Sequence, residues 1–134
     1  MPSQSLNLLL DTARKVIQHS YSPYSKYQVG ACIQSENEQL FSGTNVENAS
    51  SPLGVCAEAS AISAMVSSGA KKIQEMLIIG SGKDLCTPCG ACRQRIYEFS
   101  TSKTLIHLAD ANGIQKTLSI NDLLPYAFGP EHLK

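Results

Sequence analysis

The sequence is poor in charge: Asp, Glu, Lys and Arg make up 16% of it, eleven acidic against eleven basic, and Lys and Arg gather nowhere along the chain. Without a basic face there is no electrostatic footprint for a nucleic-acid backbone or an anionic membrane, so neither is expected as a partner, and a small neutral molecule suits the chain better. No run approaches the ~20 apolar residues that span a bilayer. The opening MPSQSLNLLLDTARK also lacks a basic segment ahead of its apolar residues, and a soluble, cytoplasmic protein is expected. Low-complexity tracts, internal repeats and linkers are missing too. With 134 residues, 43% of them hydrophobic, the chain reads as one domain over residues 1–134, large enough to bury a core without disulfide staples. Cysteines are few and odd in number: Cys32, Cys56, Cys86, Cys89 and Cys92. An odd set argues against a fully paired disulfide framework and for thiols used as ligands or nucleophiles in a reducing compartment.

Hydrophobic spacing orders the elements. Leu6, Leu9, Leu10, Ala13, Val16 and Ile17 recur at helical period, predicting an amphipathic helix over about 5–19, capped by Ser5 and ended before Pro23. YQVGACIQ and LFSGTNVE, parted by SENEQ, read as a hairpin with a loop longer than two residues. A second helix over about 55–68 begins almost on Cys56 and stops at Gly69. EMLIIGSG is a continuous apolar run typical of a buried strand. After it, Pro88 opens a third helix over about 90–99, KTLIHLAD forms a strand, IQKTLSI a weaker one, and NDLLPYAFGPEHLK a short helix and tail. The early hairpin is antiparallel, whereas strand, helix, strand implies a parallel pair. The expected fold is therefore α/β, a three-layer α/β/α sandwich with a mixed central sheet.

Two predicted helix starts carry the unusual residues, CAE at Cys56 to Glu58 and PCGAC at Pro88 to Cys92. A CxxC on the first turn of a helix lets two thiolates converge on one tetrahedral ion, while the free backbone N–H groups there stabilise negative sulfur. Cys56 can supply a third thiolate. His19, His107 and His132 have no metal-site spacing with these motifs, so three protein ligands leave one position open, as in a catalytic zinc site. Glu58 is placed to take a proton from a water there and return it to a leaving amine. Cys86, which makes a second CxxC with Cys89, is the rival fourth ligand of a closed structural site. Pro88 puts it upstream of the helix start, where a free or partly buried thiol is expected. An iron–sulfur run would end in C-x-x-x-C-P, which is absent, and a thioredoxin-like pair explains neither Cys56 nor Glu58. Cys32, within a strand, reads as core.

The paired motif resembles that of the zinc deaminases, in its three-cysteine form. Nearly end to end, through YSPYSKYQVGA, GTNVENASSPLGVCAE, PCGACRQ and LLPYAFGP in order, the chain resembles the small homotetrameric cytidine deaminases. The resemblance implies one zinc per chain held by Cys56, Cys89 and Cys92, with Glu58 as proton shuttle for water attacking C4 of the pyrimidine. It implies that Asn45 and Glu47 bond the ribose hydroxyls, which would select nucleosides over free bases, that Ala57 lies against the base, and that Gln94 supports the site. Tyr27 stands where a phenylalanine usually meets the base. Phe128 and Ala49 would reach or border a neighbouring subunit's pocket, making a homotetramer with shared sites functionally necessary. The implied reaction is deamination of cytidine and deoxycytidine in pyrimidine salvage.

Two positions depart from that pattern. Where the relatives read CAERTA, with an arginine bonding the zinc sulfurs, this chain has Ala59. Three thiolates around a divalent ion are net negative, so Arg93, or the paired helix N-termini, is expected to carry the compensation. Ser51 replaces a usual tyrosine at the subunit interface and the sugar end of the pocket. Deaminases of cytosine-containing antibiotics also lack the arginine, which keeps a modified aminopyrimidine nucleoside as the alternative substrate, although NVEN favours a plain ribose. A non-catalytic zinc-stabilised interaction module is the other class, and it leaves Glu58 unexplained.

Overall fold

A computed structural model describes residues 4–133. Helix α1 (Gln4–Val16) ends in a 3-10 turn over Ile17–His19. Ser5 therefore lies inside the first turn instead of capping the helix. Strands β1 (Val29–Ser35) and β2 (Leu40–Thr44) form the expected hairpin, with Gln34 opposite Leu40. There follow α2 (Ala57–Ser67), β3 (Ile73–Gly80), α3 (Gly90–Glu98), β4 (Ser100–Asp110), β5 (Gly113–Ser119) and the short α4 (Ile120–Leu123).

The five strands form one sheet in the order β2-β1-β3-β4-β5. Only β3 and β4 run parallel, as their connection through α3 requires, and the remaining pairs are antiparallel. The last strand falls within one residue of the expected IQKTLSI run, its backbone pairing with β4 from Leu105↔Ser119 to Asp110↔Gly113. Alternating side chains divide the core into two layers. Cys32, Leu77, Ile79 and Ala109 meet Leu9 and Ala13 of α1 on one face. Ala31, Ile33, Met76, Ile78, Ile106 and Leu108 meet Ala57, Ala61, Met65 and Ile96, from α2 and α3, on the other. This is the expected α/β/α arrangement, and Cys32 is fully buried in it.

Two packing details position the helix carrying CAE. Ala57 and Ala61 are small and fully buried, and Gly43 of β2 lies directly beneath them. A β-carbon on Gly43 would sit 2.4 Å from Ala61 N and 2.8 Å from Ala57 O, so α2 rests on the sheet at a distance only glycine allows.

Candidate metal centre

Both motif-bearing helices lie on the same face of the sheet, and a cysteine occupies the N-cap of each. Cys56 (φ −81°, ψ 160°) precedes α2 and Cys89 (φ −69°, ψ 170°) precedes α3. In this extended conformation each carbonyl accepts the first helical bond, from Ser60 N at 3.1 Å and Arg93 N at 2.9 Å. The Cys56 sulfur also accepts the backbone N–H of Ala59.

The sulfurs of Cys56 and Cys92 and a carboxylate oxygen of Glu58 all lie within 4.8 Å of one another. Cys92 and Glu58 are buried and Cys56 half-buried. A hydrogen bond from the Cys92 thiol holds Cys56 down to about 6 against the opposing effect of burial, with Ala59 N–H and Arg95 assisting. That same hydrogen bond pushes Cys92 upward, as does its burial. Burial raises Glu58 to about 7, and the neighbouring Cys56 charge adds to it. A cation entering this cluster takes Cys56 and Cys92 as thiolates, so any proton still shared between the two sulfurs leaves on binding. Two soft sulfurs beside one carboxylate match the donor preference of zinc. Cys89 is exposed at its N-cap, and its sulfur lies outside the close trio while near enough for its charge to act on Cys92.

Arg93 does not serve the sulfurs. Its Nε donates to Pro88 O at 2.8 Å and its Nη1 to Leu123 O at 2.9 Å, tying α4 to the start of α3. Arg95 is the residue that reaches them, its Nη1 lying 3.5 Å from both Cys56 Sγ and Cys92 Sγ. Helical geometry explains the difference, since a residue three positions from Cys92 shares its face and an adjacent one does not. That spacing was present in CRQR. Gln94 donates to Phe128 O at 2.7 Å and so anchors the C-terminal segment. Phe128 itself is exposed and stacks on His132, with ring centroids 5.1 Å apart.

Asn45 organises the entry to β1. Its Oδ1 accepts from Val29 N at 3.0 Å and from Ser20 Oγ, and its Nδ2 donates to Tyr27 O at 2.8 Å. Glu47 accepts from Tyr24 N at 3.0 Å, from Ser25 N at 3.2 Å and from Ser25 Oγ, bonds that hold its carboxyl below the usual range. Ser20 and Ser25, which orient these two side chains, escaped the sequence reading because their partners lie more than twenty positions away. A cleft of about 440 Å3 opens beside Glu47, with Ala49 and Ser51 on its wall. Ala57 is fully buried under Cys56. Tyr27 packs against Gly82, and its hydroxyl is hydrogen-bonded to Cys86. Burial, then that bond, pushes the tyrosine up to about 12. Cys86 is half-buried against Gly80 and takes no part in the close trio.

Residues 3–108 match the family described as "Cytidine and deoxycytidylate deaminase zinc-binding region". The chain is 38% identical over 125 residues to the cytidine deaminase of Mycoplasma genitalium, covering 92% of this chain and 95% of that one. It is 33% identical to the cytidine deaminase of Sporosarcina psychrophila, over 93% and 92% of the two chains. Among solved structures, cytidine deaminase from Burkholderia pseudomallei superposes with a TM-score of 0.85 at 33% identity, over 91% of this chain and 98% of that one. The enzyme from Mycobacterium tuberculosis gives 0.78 at 32%, over 92% and 96%.

Proposed function

The chain belongs to the family of cytidine and deoxycytidylate deaminases, and from that premise we propose that Cys56, Cys89 and Cys92 hold one zinc ion beside which Glu58 moves the proton. The protein is a zinc-dependent enzyme that hydrolyses the exocyclic amine of cytidine, yielding uridine and ammonia. The observation that carries the assignment is the convergence of Cys56, Glu58 and Cys92 from two helix N-termini within 4.8 Å. When bound, zinc supplies the Lewis acidity that makes water nucleophilic near neutral pH.

The chain's own residues do the rest. Glu58 is 4% exposed, so its carboxyl group faces the reacting centre with little water to compete. One of its oxygens takes the proton of the attacking water and delivers it to the departing amine at C4. Ala57, with no side chain beyond a methyl, leaves the base room against the start of α2. Glu47 and Asn45, already oriented by Ser25 and by the backbone around β1, take the ribose hydroxyls, and a base without its sugar leaves them unpaired. Gln94 steadies α3 against the C-terminal segment. Tyr27, pinned by Cys86 and Gly82, borders the base. Cytidine is favoured over a modified aminopyrimidine nucleoside, and deoxycytidine is accepted alongside it.

Residues 1–134 act as one catalytic domain, in a homotetramer where Ala49 and Phe128 meet a neighbour's pocket. Exposed apolar side chains at Val46, Leu53, Val55 and Phe128 support an assembled state. No described helix is long and apolar enough to cross a membrane, and the free thiols suit a reducing cytoplasm, where the reaction serves pyrimidine salvage. Ultraviolet monitoring of cytidine, deoxycytidine, cytosine and an aminopyrimidine nucleoside, with zinc content measured in parallel, tests the reading. Amine loss from the first two is expected, and none from any of them with zinc bound refutes it. Glu58→Gln should keep the metal while turnover falls about 100-fold or more, the usual worth of a positioned acid–base group.

A further inference from the structure

We propose that Arg95 offsets the negative charge of the zinc-binding sulfurs and so helps retain the metal, in the place where Ala59 supplies no cation. The inference rests on the zinc-deaminase reading above. Arg95 lies three residues after Cys92 on α3, on the same helical face, and its Nη1 lies 3.5 Å from Cys92 Sγ. The same nitrogen lies 3.5 Å from Cys56 Sγ, on the other helix. One guanidinium therefore bridges the two sulfurs across the gap between α2 and α3. No other Lys or Arg among the described residues donates to either sulfur. Ala59 gives Cys56 only its backbone N–H, and Arg93 is committed to the carbonyls of Pro88 and Leu123.

A positioned cation matters more for thiolates than for imidazoles. Each added sulfur charge counters the ion's own, so the assembled cluster is net negative and its surroundings must balance it. Arg95 is largely exposed, so solvent and salt screen its contribution, and the effect should shrink as ionic strength rises. A role confined to packing would not respond to salt in this way. Arg95 is thus a positioning residue: it touches the ligand sulfurs and not the substrate.

The test is equilibrium competition for zinc between the purified protein and a chromogenic chelator, at low and high salt, with thermal melts of the metal-free variants alongside. Arg95→Ala should bind zinc about 10- to 100-fold more weakly, the usual cost of losing a partner of the ligands, with the metal-free melt unchanged. Arg95→Lys should recover part of the loss, because it keeps the charge but not the planar fork. Ala59→Arg introduced into Arg95→Ala should recover most of it. Should Arg95→Ala fail to fold, Arg95→Met keeps the packing of the stem and takes its place. Affinity within about two-fold of the parent for the charge-removing variant, or an Arg95→Lys no better than Arg95→Ala, overturns the proposal. Cytidine turnover by the parent is scored separately: a zinc-loaded parent without it sinks the functional reading and leaves the zinc comparison intact.

Discussion

Replacing Gly43 with alanine should disturb the metal centre from beneath the helix that carries half of it. The new methyl carbon would lie 2.4 Å from Ala61 N, 2.6 Å from Ser60 Cβ and 2.8 Å from Ala57 O, where ordinary contact begins at 3.4 Å. Two of those three atoms are backbone, and Ala57 and Ala61 are already fully buried, so no side chain can swing aside. The helix must lift by about 1 Å or the strand must bend, at a cost of roughly 1–3 kcal/mol for overpacking. For a domain of this size that lowers Tm by roughly 3–10 °C. Cys56 and Glu58 ride on the displaced helix, while Cys92 rides on α3, which Gly43 does not touch. A misplacement of about 1 Å between them should lower turnover by about 100-fold. Calorimetry of the metal-free protein gives the first effect and cytidine turnover at saturating zinc the second. Gly90→Ala is the control for stability, since a β-carbon there meets nothing within 4 Å. An unchanged Tm and an unchanged kcat for Gly43→Ala would refute the claim that close packing of α2 on β2 sets the site.

Other consequences follow from groups away from that contact. His107 is 2% exposed and bonded at 2.8 Å to both Glu75 Oε1 and Thr117 Oγ1, so His107→Ala should cost about 2–4 kcal/mol in urea unfolding through a cavity and two stranded partners, with little change in kcat/KM. Stripping zinc with a chelator should make Cys56 the fastest thiol to alkylate, because it is held down to about 6, while Cys32, which burial pushes up to about 12, stays unlabelled, as mass spectrometry of the labelled chain would report. Glu36 accepts backbone N–H bonds from Lys71 and Lys72, which outweigh burial and lower its pKa. A depressed carboxyl stabilises the fold above its unfolded value and loses that effect as pH falls through the folded one. Glu36→Gln should therefore melt earlier than the parent at pH 7 and level with it in acid of about pH 2, well below the ordinary carboxylate range.

Most of the fold was legible because its hydrophobic periods are clean. The apolar stretches of β1 and β3 announce strands buried on both faces, and Gly69 and Pro88 punctuate the helices where the structure does. The errors are local and have physical causes. Ser5 looked like a cap because it is the helix-capping type nearest the periodic run, yet the hydrogen-bonded turn includes it. The strand β5 read as weak because it lies at the sheet edge with no residue fully buried, so its apolar content understates its backbone pairing.

The candidate site was legible to a different depth. Cys56, Glu58 and Cys92 are recognisable because an N-cap followed by a helix fixes the direction of nearby side chains within one turn, and the two motifs state that locally. The role proposed for Asn45 and Glu47 was recognisable only by resemblance, since what orients them, Ser20, Ser25 and the carbonyl of Tyr27, lies 18 to 25 positions away along the chain. By itself the sequence determined the elements, the cysteine-bearing helix starts and the absence of a cation at Ala59. Tertiary structure decided which cation takes that place. Arg93 is nearer to Cys92 along the chain, but a helix turns about 100° per residue, and only the packing of α3 beside α2 brings the guanidinium of Arg95 to both sulfurs at once.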